Sequence, residues 1–235
     1  MAIQNFDKLN NIATTWYSKM NCTEEERKRR IELSLLYADI MDIFFTMLIM
    51  EELSRQEMIT WLAERLAVVA SNEIGTEDIA YINDWSVKEA ETIYDITVKN
   101  IEKQRKAEGD EEQEESAEGE TEPKEITFEE FDVSVPESEY WTSDIRGILL
   151  GMECASAVSN YREMYDAIKR GCTRKVWITE ADDKVRPTHI EVDHDDIPIN
   201  KLFQVGDSVL LFPGDISNGA SEQEVCNCRC RCDYY

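Results

Sequence analysis

At 235 residues the chain is long enough for one large domain or two small ones, each able to bury a core. Fifty acidic residues against twenty-five basic ones leave a net charge of −25, which repels phosphate backbones and anionic membranes and argues against autonomous binding to either. Seven cysteines, odd in number and crowded at one end, do not form a secreted disulfide framework, and no basic stretch followed by an apolar core opens the chain, so a reducing cytoplasm and no secretory leader are expected.

Residues 1–106 contain one glycine, Gly75, and no proline, and they read as helices throughout. Phe6, Leu9, Ile12, Trp16 and Met20 recur every three or four positions, which predicts a helix over 3–19. Thr23 with Glu26 three residues on has the capping-box pattern and opens a long second helix to about residue 53. Its segment 31–50 resembles a membrane span but carries Glu32, Ser34, Asp39 and Asp42, and a charge near a bilayer centre costs about 2.5 to 3.5 kcal/mol. A buried helix is the expectation. Ser54 with Glu57 repeats the capping signal for a third helix carrying Met58, Trp61, Leu62, Leu66 and Val69, which stops near 72–75. Thr76 or Asp84 opens a fourth, to about residue 106. The basic stretches 27–30, 103–106 and 169–175 each lie beside acids or end a helix, so direct nucleic-acid recognition is not expected.

Residues 108–132 hold thirteen acids and one lysine, a block with too little apolar surface to offset its ordering entropy. It reads as a mobile linker or loop over 107–135, the alternative being an acidic arm that docks on a basic partner or mimics DNA. Order resumes near Pro136, and Ile145, Leu149, Met152, Ala155, Val158, Tyr161, Met164 and Ile168 predict a helix from Ser138 or Thr142 to Arg170, stopped by Gly171. Short strands are expected over 175–179, 190–192, 197–199, 208–212 and 224–231, with turns at Asp182-Asp183 and Pro213-Gly214-Asp215. The sum is an α+β chain: a helical domain over 1–106, then a long helix and a small β-rich module within 136–235.

Cys226, Cys228, Cys230 and Cys232 alternate with Asn227, Arg229 and Arg231, and an extended strand would put all four sulfurs on one face. Neighbouring same-face positions lie roughly 6.5 to 7 Å apart, too far for an unstrained disulfide, so partners are sought in Cys172, His189 and His194. Zinc held by His189 and two thiolates, thiols packed as small hydrophobes, and a bridge to Cys172 all remain open. His189 and Arg186 near Asp193, His194, Asp195 and Asp196 could serve as general acid or base in a small nuclease, or could be structural. His194-Asp195-Asp196 could take a divalent cation or be an exposed acidic turn. No Gly-rich phosphate loop, Gly-x-Ser-x-Gly elbow or His-Glu-x-x-His occurs, which argues against an enzyme.

The ordered set Glu153 and Asn160, Lys175 and Trp177, Asp182 with Arg186 and His189, Pro213-Gly214-Asp215, and Asn227-Cys228-Arg229-Cys230 resembles the phage Mu-like minor head (head morphogenesis) proteins over about residues 140–232. In that family a helix bearing a Glu and an Asn leads into Lys-x-Trp, Asp-x-x-x-Arg-x-x-His, a Pro-Gly-Asp turn and Asn-Cys-Arg-Cys; Glu224 fits the acid before the last motif. The chain departs from the pattern at His194, where the family commonly has Gly, and in Cys226, Cys232 and the Asp-Tyr-Tyr tail. The resemblance implies a structural minor capsid protein of the virion, not an enzyme, associated with portal protein at the portal vertex inside the head and acting in head assembly or DNA delivery. Capsid or scaffold protein and self-association are further partners to consider, and no membrane partner is expected. The host cytoplasm would be its location during assembly. Some relatives carry fused toxin or enzyme domains after this module, and none is expected here after Tyr235. His189, Cys228 and Cys230 match the pattern and are the candidate metal ligands; no other cofactor is expected. The alternative function is a small nuclease or toxin-like enzyme using His189 and Arg186.

Overall fold

The computed structural model describes residues 5–75, 78–114 and 124–235, the side chains of 107–114 excepted. Four helices come first: α1 (Phe6–Ser18), α2 (Glu24–Met50), α3 (Arg55–Ile74) and α4 (Ile79–Glu114). Ser54 and Glu57 form the reciprocal capping box at the start of α3, whereas Thr23 caps α2 from one side only, accepting from the Glu26 amide. Ile3 and Thr76, expected at helix starts, lie outside the described residues.

The acidic block is more ordered at its ends than its average composition implies. Helix α4 runs on to Glu114, and a hairpin of β1 (Glu125–Phe128) and β2 (Val133–Pro136) begins where a mobile segment was expected. The reason is local: Phe128, Phe131, Val133 and Val135 punctuate the last acids, and Phe131 is buried against Trp16 of α1 with ring centroids 6.4 Å apart. Lys19 pairs with Glu130 beside it. Residues 115–123 of that block lie outside the described residues.

Helix α5 (Asp144–Lys169) is the axis of the molecule. Ser143 caps its start by accepting from the Arg146 amide at 3.1 Å. At its end Gly171, with φ at 86°, lets the Gly171 and Cys172 amides turn back to the Ile168 and Ala167 carbonyls, a Schellman closure. Leu150, Cys154, Ala155 and Val158 join one core with α2, α3 and α4, while Ile145, Ile148, Leu149 and Met152 join a second with α1 and α2. So α5, assigned from sequence to the C-terminal module, buries much of its surface against the helices before the acidic block. The apolar length of α2 would suffice to cross a membrane, but Tyr37, Met41 and Phe44 are buried in these cores.

Beyond α5 come β3 (Arg174–Ile178), α6 (Pro187–Glu191), β4 (Asp196–Pro198), β5 (Phe203–Val205), β6 (Ser208–Leu210), α7 (Glu222–Val225) and β7 (Arg231–Tyr234). The central strand β3 pairs antiparallel with β4 on one side and β7 on the other, and β5 with β6 forms a hairpin turned at Gly206. The α+β class therefore holds. Two expected strands do not form. Residues 190–192 end the short helix α6, which Pro187 starts at a position where its missing amide costs nothing. Residues 224–231 are not one strand: Val225 closes α7, Asn227 adopts a left-handed backbone with φ at 53°, and pairing begins only at Arg231. Glu222 and Glu224 in its first turn favour that helical turn.

The contact between α2 and α5 depends on glycine. A Cβ on Gly151 would come 2.4 Å from the Ser34 carbonyl oxygen, whereas one on Gly147 would meet its nearest atom, Met41 Cβ, at an ordinary 3.6 Å. The two glycines should answer alanine with opposite signs. Gly151→Ala should lower stability by about 1–3 kcal/mol through overpacking, and Gly147→Ala should raise it by about 0.5–1 kcal/mol through helix entropy. Denaturant midpoints at unchanged m-value would check both.

Candidate functional site

The fold gathers the sequence-predicted residues around the junction of α5 with the β-rich module. Glu153 and Asn160 are two helical turns apart on α5 and so share a face. The Asn160 amide donates to the Pro213 carbonyl at 2.8 Å and to the Cys230 carbonyl at 3.3 Å, and its oxygen accepts from Arg30 at 3.0 Å. One buried side chain thus ties helix α2, the Pro-Gly-Asp turn and the cysteine turn together. Gly214 has φ at 85°, a left-handed backbone, and a Cβ added there would already lie 3.4 Å from Ala157 Cα. Asp215, fully buried, accepts from the amides of Leu211 at 2.8 Å and Ser217 at 2.9 Å, holding that turn shut.

On β3 the period of two sends Lys175 and Trp177 into the interior, both 0% exposed. The Lys175 ammonium donates to the Leu211 carbonyl and lies 4.9 Å from the centre of the Phe203 ring. Burial pushes its pKa down to about 8, against opposition from Cys232 and Asp215. Trp177 meets Phe203 and His189 edge to face, at 5.1 and 5.5 Å between centroids. Asp182 accepts from the Lys184 amide and pairs with Arg229 at 2.7 Å; the Arg229 guanidinium also covers Trp16 at 5.2 Å. Arg186 donates to the Cys226 carbonyl from the position preceding α6.

His189 is 1% exposed. Its Nδ1 lies 3.4 Å from Cys230 Sγ and 3.6 Å from Cys228 Sγ, and the three ligand atoms all fall within 4.8 Å of one another. The other ring nitrogen, Nε2, sits 3.2 Å from Glu224 Oε2, close enough for an ion pair when the ring is charged but not aligned as a hydrogen bond. Thr188 donates to the same carboxylate oxygen at 2.8 Å. A hydrogen bond from Cys230 and the neighbouring His189 draw the Cys228 thiol far below its ordinary pKa, and that shared hydrogen, with burial, raises Cys230. Burial lowers the His189 pKa, but the bond to Cys228 and its charge outweigh it, and the net shift is upward.

The remaining sulfurs go elsewhere. Cys228 and Cys230 do share a face, with Arg229 directed away between them, but the turn at Asn227 sends Cys226 to Glu153, whose Oε1 it approaches at 3.3 Å. Cys232 lies in β7, opposite Trp177. Cys172 and His194 are not part of the cluster; His194 is exposed beside Asp193, and Asp196 pairs with Arg174, so no cation cage forms at 194–196. Neither nitrogen of His189 faces solvent, and Arg186 is engaged with a backbone carbonyl, an arrangement suited to bracing rather than to proton transfer with a bound substrate.

Two further groups were not anticipated from sequence. Arg30, fully buried, donates to Glu26, Glu163 and Asn160 and so reaches from α2 to the motif residues. Its spacing with Leu33, Tyr37, Met41 and Phe44, on the buried stripe of α2, was the available signal. Glu89 of α4 is the other: Cys154 donates to it at 3.7 Å, and burial followed by the nearby Glu153 raises its pKa to about 8. No protein family matches the chain, and no curated protein and no solved structure does either.

Two predictions follow from these charges. Arg30→Met should cost roughly 3–5 kcal/mol, because it strands Glu26 and Glu163 without a counter-ion; thermal melts of wild type and variant decide it. The Glu89 carboxyl faces Glu153, Glu222 and Cys154, with Arg146 as the opposing charge. Since its folded pKa lies above its unfolded one, its contribution is complete below the ordinary carboxylate range and is lost as pH rises toward about 8. Tm should therefore fall between pH 5 and 8, by roughly 1.4 kcal/mol of stability per pH unit from this group, and Glu89→Gln should flatten that fall.

Proposed function

We propose that this chain is a minor capsid protein of a tailed phage, a head-morphogenesis protein that associates with portal protein inside the head and acts in head assembly or DNA delivery. The observation that carries the reading is convergence. Residues that the family pattern singles out, from Glu153 to Cys230, meet around one junction, where each holds a turn, a strand or a helix in place. A set of positions with a common structural duty is what a shared module demands, and chance matches scattered along a chain have no reason to be neighbours.

The burial of His189 and the backbone engagement of Arg186 favour this structural reading over a nuclease. The charge of −25 favours protein partners over DNA. Apolar side chains left on the helices, among them Leu36, Ile49, Met50, Val68 and Val87, provide material for such contacts.

The test uses the full chain, because α5 shares its cores with α1–α4. Coexpressed with the portal protein of the phage that carries it, the chain should copurify with portal and be found in procapsids and virions at few copies per head. Absence from both particles, or nucleic-acid cleavage that disappears in a folded His189→Ala variant, would overturn the reading.

A further inference from the structure

We propose that His189 Nδ1, Cys228 Sγ and Cys230 Sγ bind a zinc ion that staples the cysteine turn to α6. The site stands on geometry and is independent of the role in phage assembly.

The first argument is distance. Zinc bonds of about 2.3 Å to sulfur and 2.0–2.1 Å to nitrogen at a tetrahedral angle place the two ligand atoms roughly 3.6 Å apart. The two nitrogen-to-sulfur distances here are 3.4 and 3.6 Å. A ring nitrogen carries either one hydrogen or one lone pair in its plane, so it makes one good hydrogen bond, not two. Two sulfurs closing on the same nitrogen are better explained by a common point between all three atoms.

The surroundings agree. The second nitrogen of a zinc-bound histidine commonly faces a carboxylate, which fixes the ring and strengthens it as a ligand. Glu224 stands on that side at 3.2 Å, near enough to take the Nε2 hydrogen after a small rotation, and is itself held by Thr188 and packed against Gly206, where an added Cβ would lie 2.8 Å from its Oε1. Trp177, Phe203 and Val225 belong to the same buried cluster as the two cysteines and keep bulk water from it. Charge is compatible with the site: two thiolates and a zinc ion are neutral together, which suits an apolar shell. The cysteines reach the ion from one face because Arg229 between them is drawn the other way by Asp182. A module of this size with a limited core gains from such a staple.

The experiment uses the full chain, purified under reducing conditions, equilibrated with zinc and then dialysed. Elemental analysis should find about one zinc per chain. His189→Ala and the pair Cys228→Ser with Cys230→Ser should each bring that content close to zero, while Cys172→Ser keeps it. Cobalt(II) in place of zinc should give the wild-type chain the thiolate charge-transfer absorption of a tetrahedral sulfur site, a readout that needs no variant to fold. Chelation should lower Tm. A reduced wild-type chain that retains no zinc, cobalt bound without that absorption, or zinc that survives the paired cysteine substitution would each overturn the site. So would a Cys228–Cys230 disulfide that mass measurement finds in the folded chain and that zinc with reductant does not replace.

Discussion

The close approach of α2 and α5 is the constraint on which the rest of the structure depends. A helix that must present a glycine to the backbone of its neighbour, as Gly151 does to Ser34, fixes both the separation and the register of the pair. That register puts Arg30 beside Asn160 and Glu163, one helical turn from Ser34, and so decides which part of α2 reaches the C-terminal module. The β-rich module has a core of its own around Trp177 and Phe203, but its turns at residues 213 and 230 hang from the Asn160 amide. Helix packing and turn geometry are thereby one problem rather than two.

The buried charges show how a strongly acidic chain keeps its interior balanced. Arg30 answers two carboxylates, Asp182 answers Arg229, and Lys175 gives its proton-bearing end to a carbonyl and a ring. Glu89 is different: burial and the neighbouring Glu153 outweigh the opposing charge of Arg146, and its pKa is raised. Asp215 is buried as well, and the amides of Leu211 and Ser217 answer it.

Much of this was legible in the residues. Helical periodicity and the Ser54–Glu57 capping box located the first three helices, Gly171 marked the stop of α5, and the strand expected over 175–179 forms one residue earlier as β3. What escaped was context. An average over residues 108–132 hid the few apolar side chains that anchor the hairpin at its end. Four cysteines at every second position looked like one strand because alternation carries no record of a left-handed residue such as Asn227, which splits them among three environments. The trio of His189, Cys228 and Cys230, named from the resembled pattern, does come together, and it is the turn that parts it from Cys226 and Cys232. Arg30 lies more than a hundred residues from Asn160, and no local pattern reports a contact of that span.

The placement of β7 has a consequence for the order in which the molecule is made. Strand β3 is central to its sheet, yet one of its two neighbours is the segment 231–234, and the Tyr235 carbonyl accepts from the amides of Thr173 and Arg174. During synthesis α2 and α5 have both left the ribosome while that neighbour is still within it, so the helices can bury one another before the sheet has an edge to close on. Until then Trp177 and the strand that carries it lack the surface they pack against, and a nascent chain paused at that point exposes the β-rich half to chaperones and proteases.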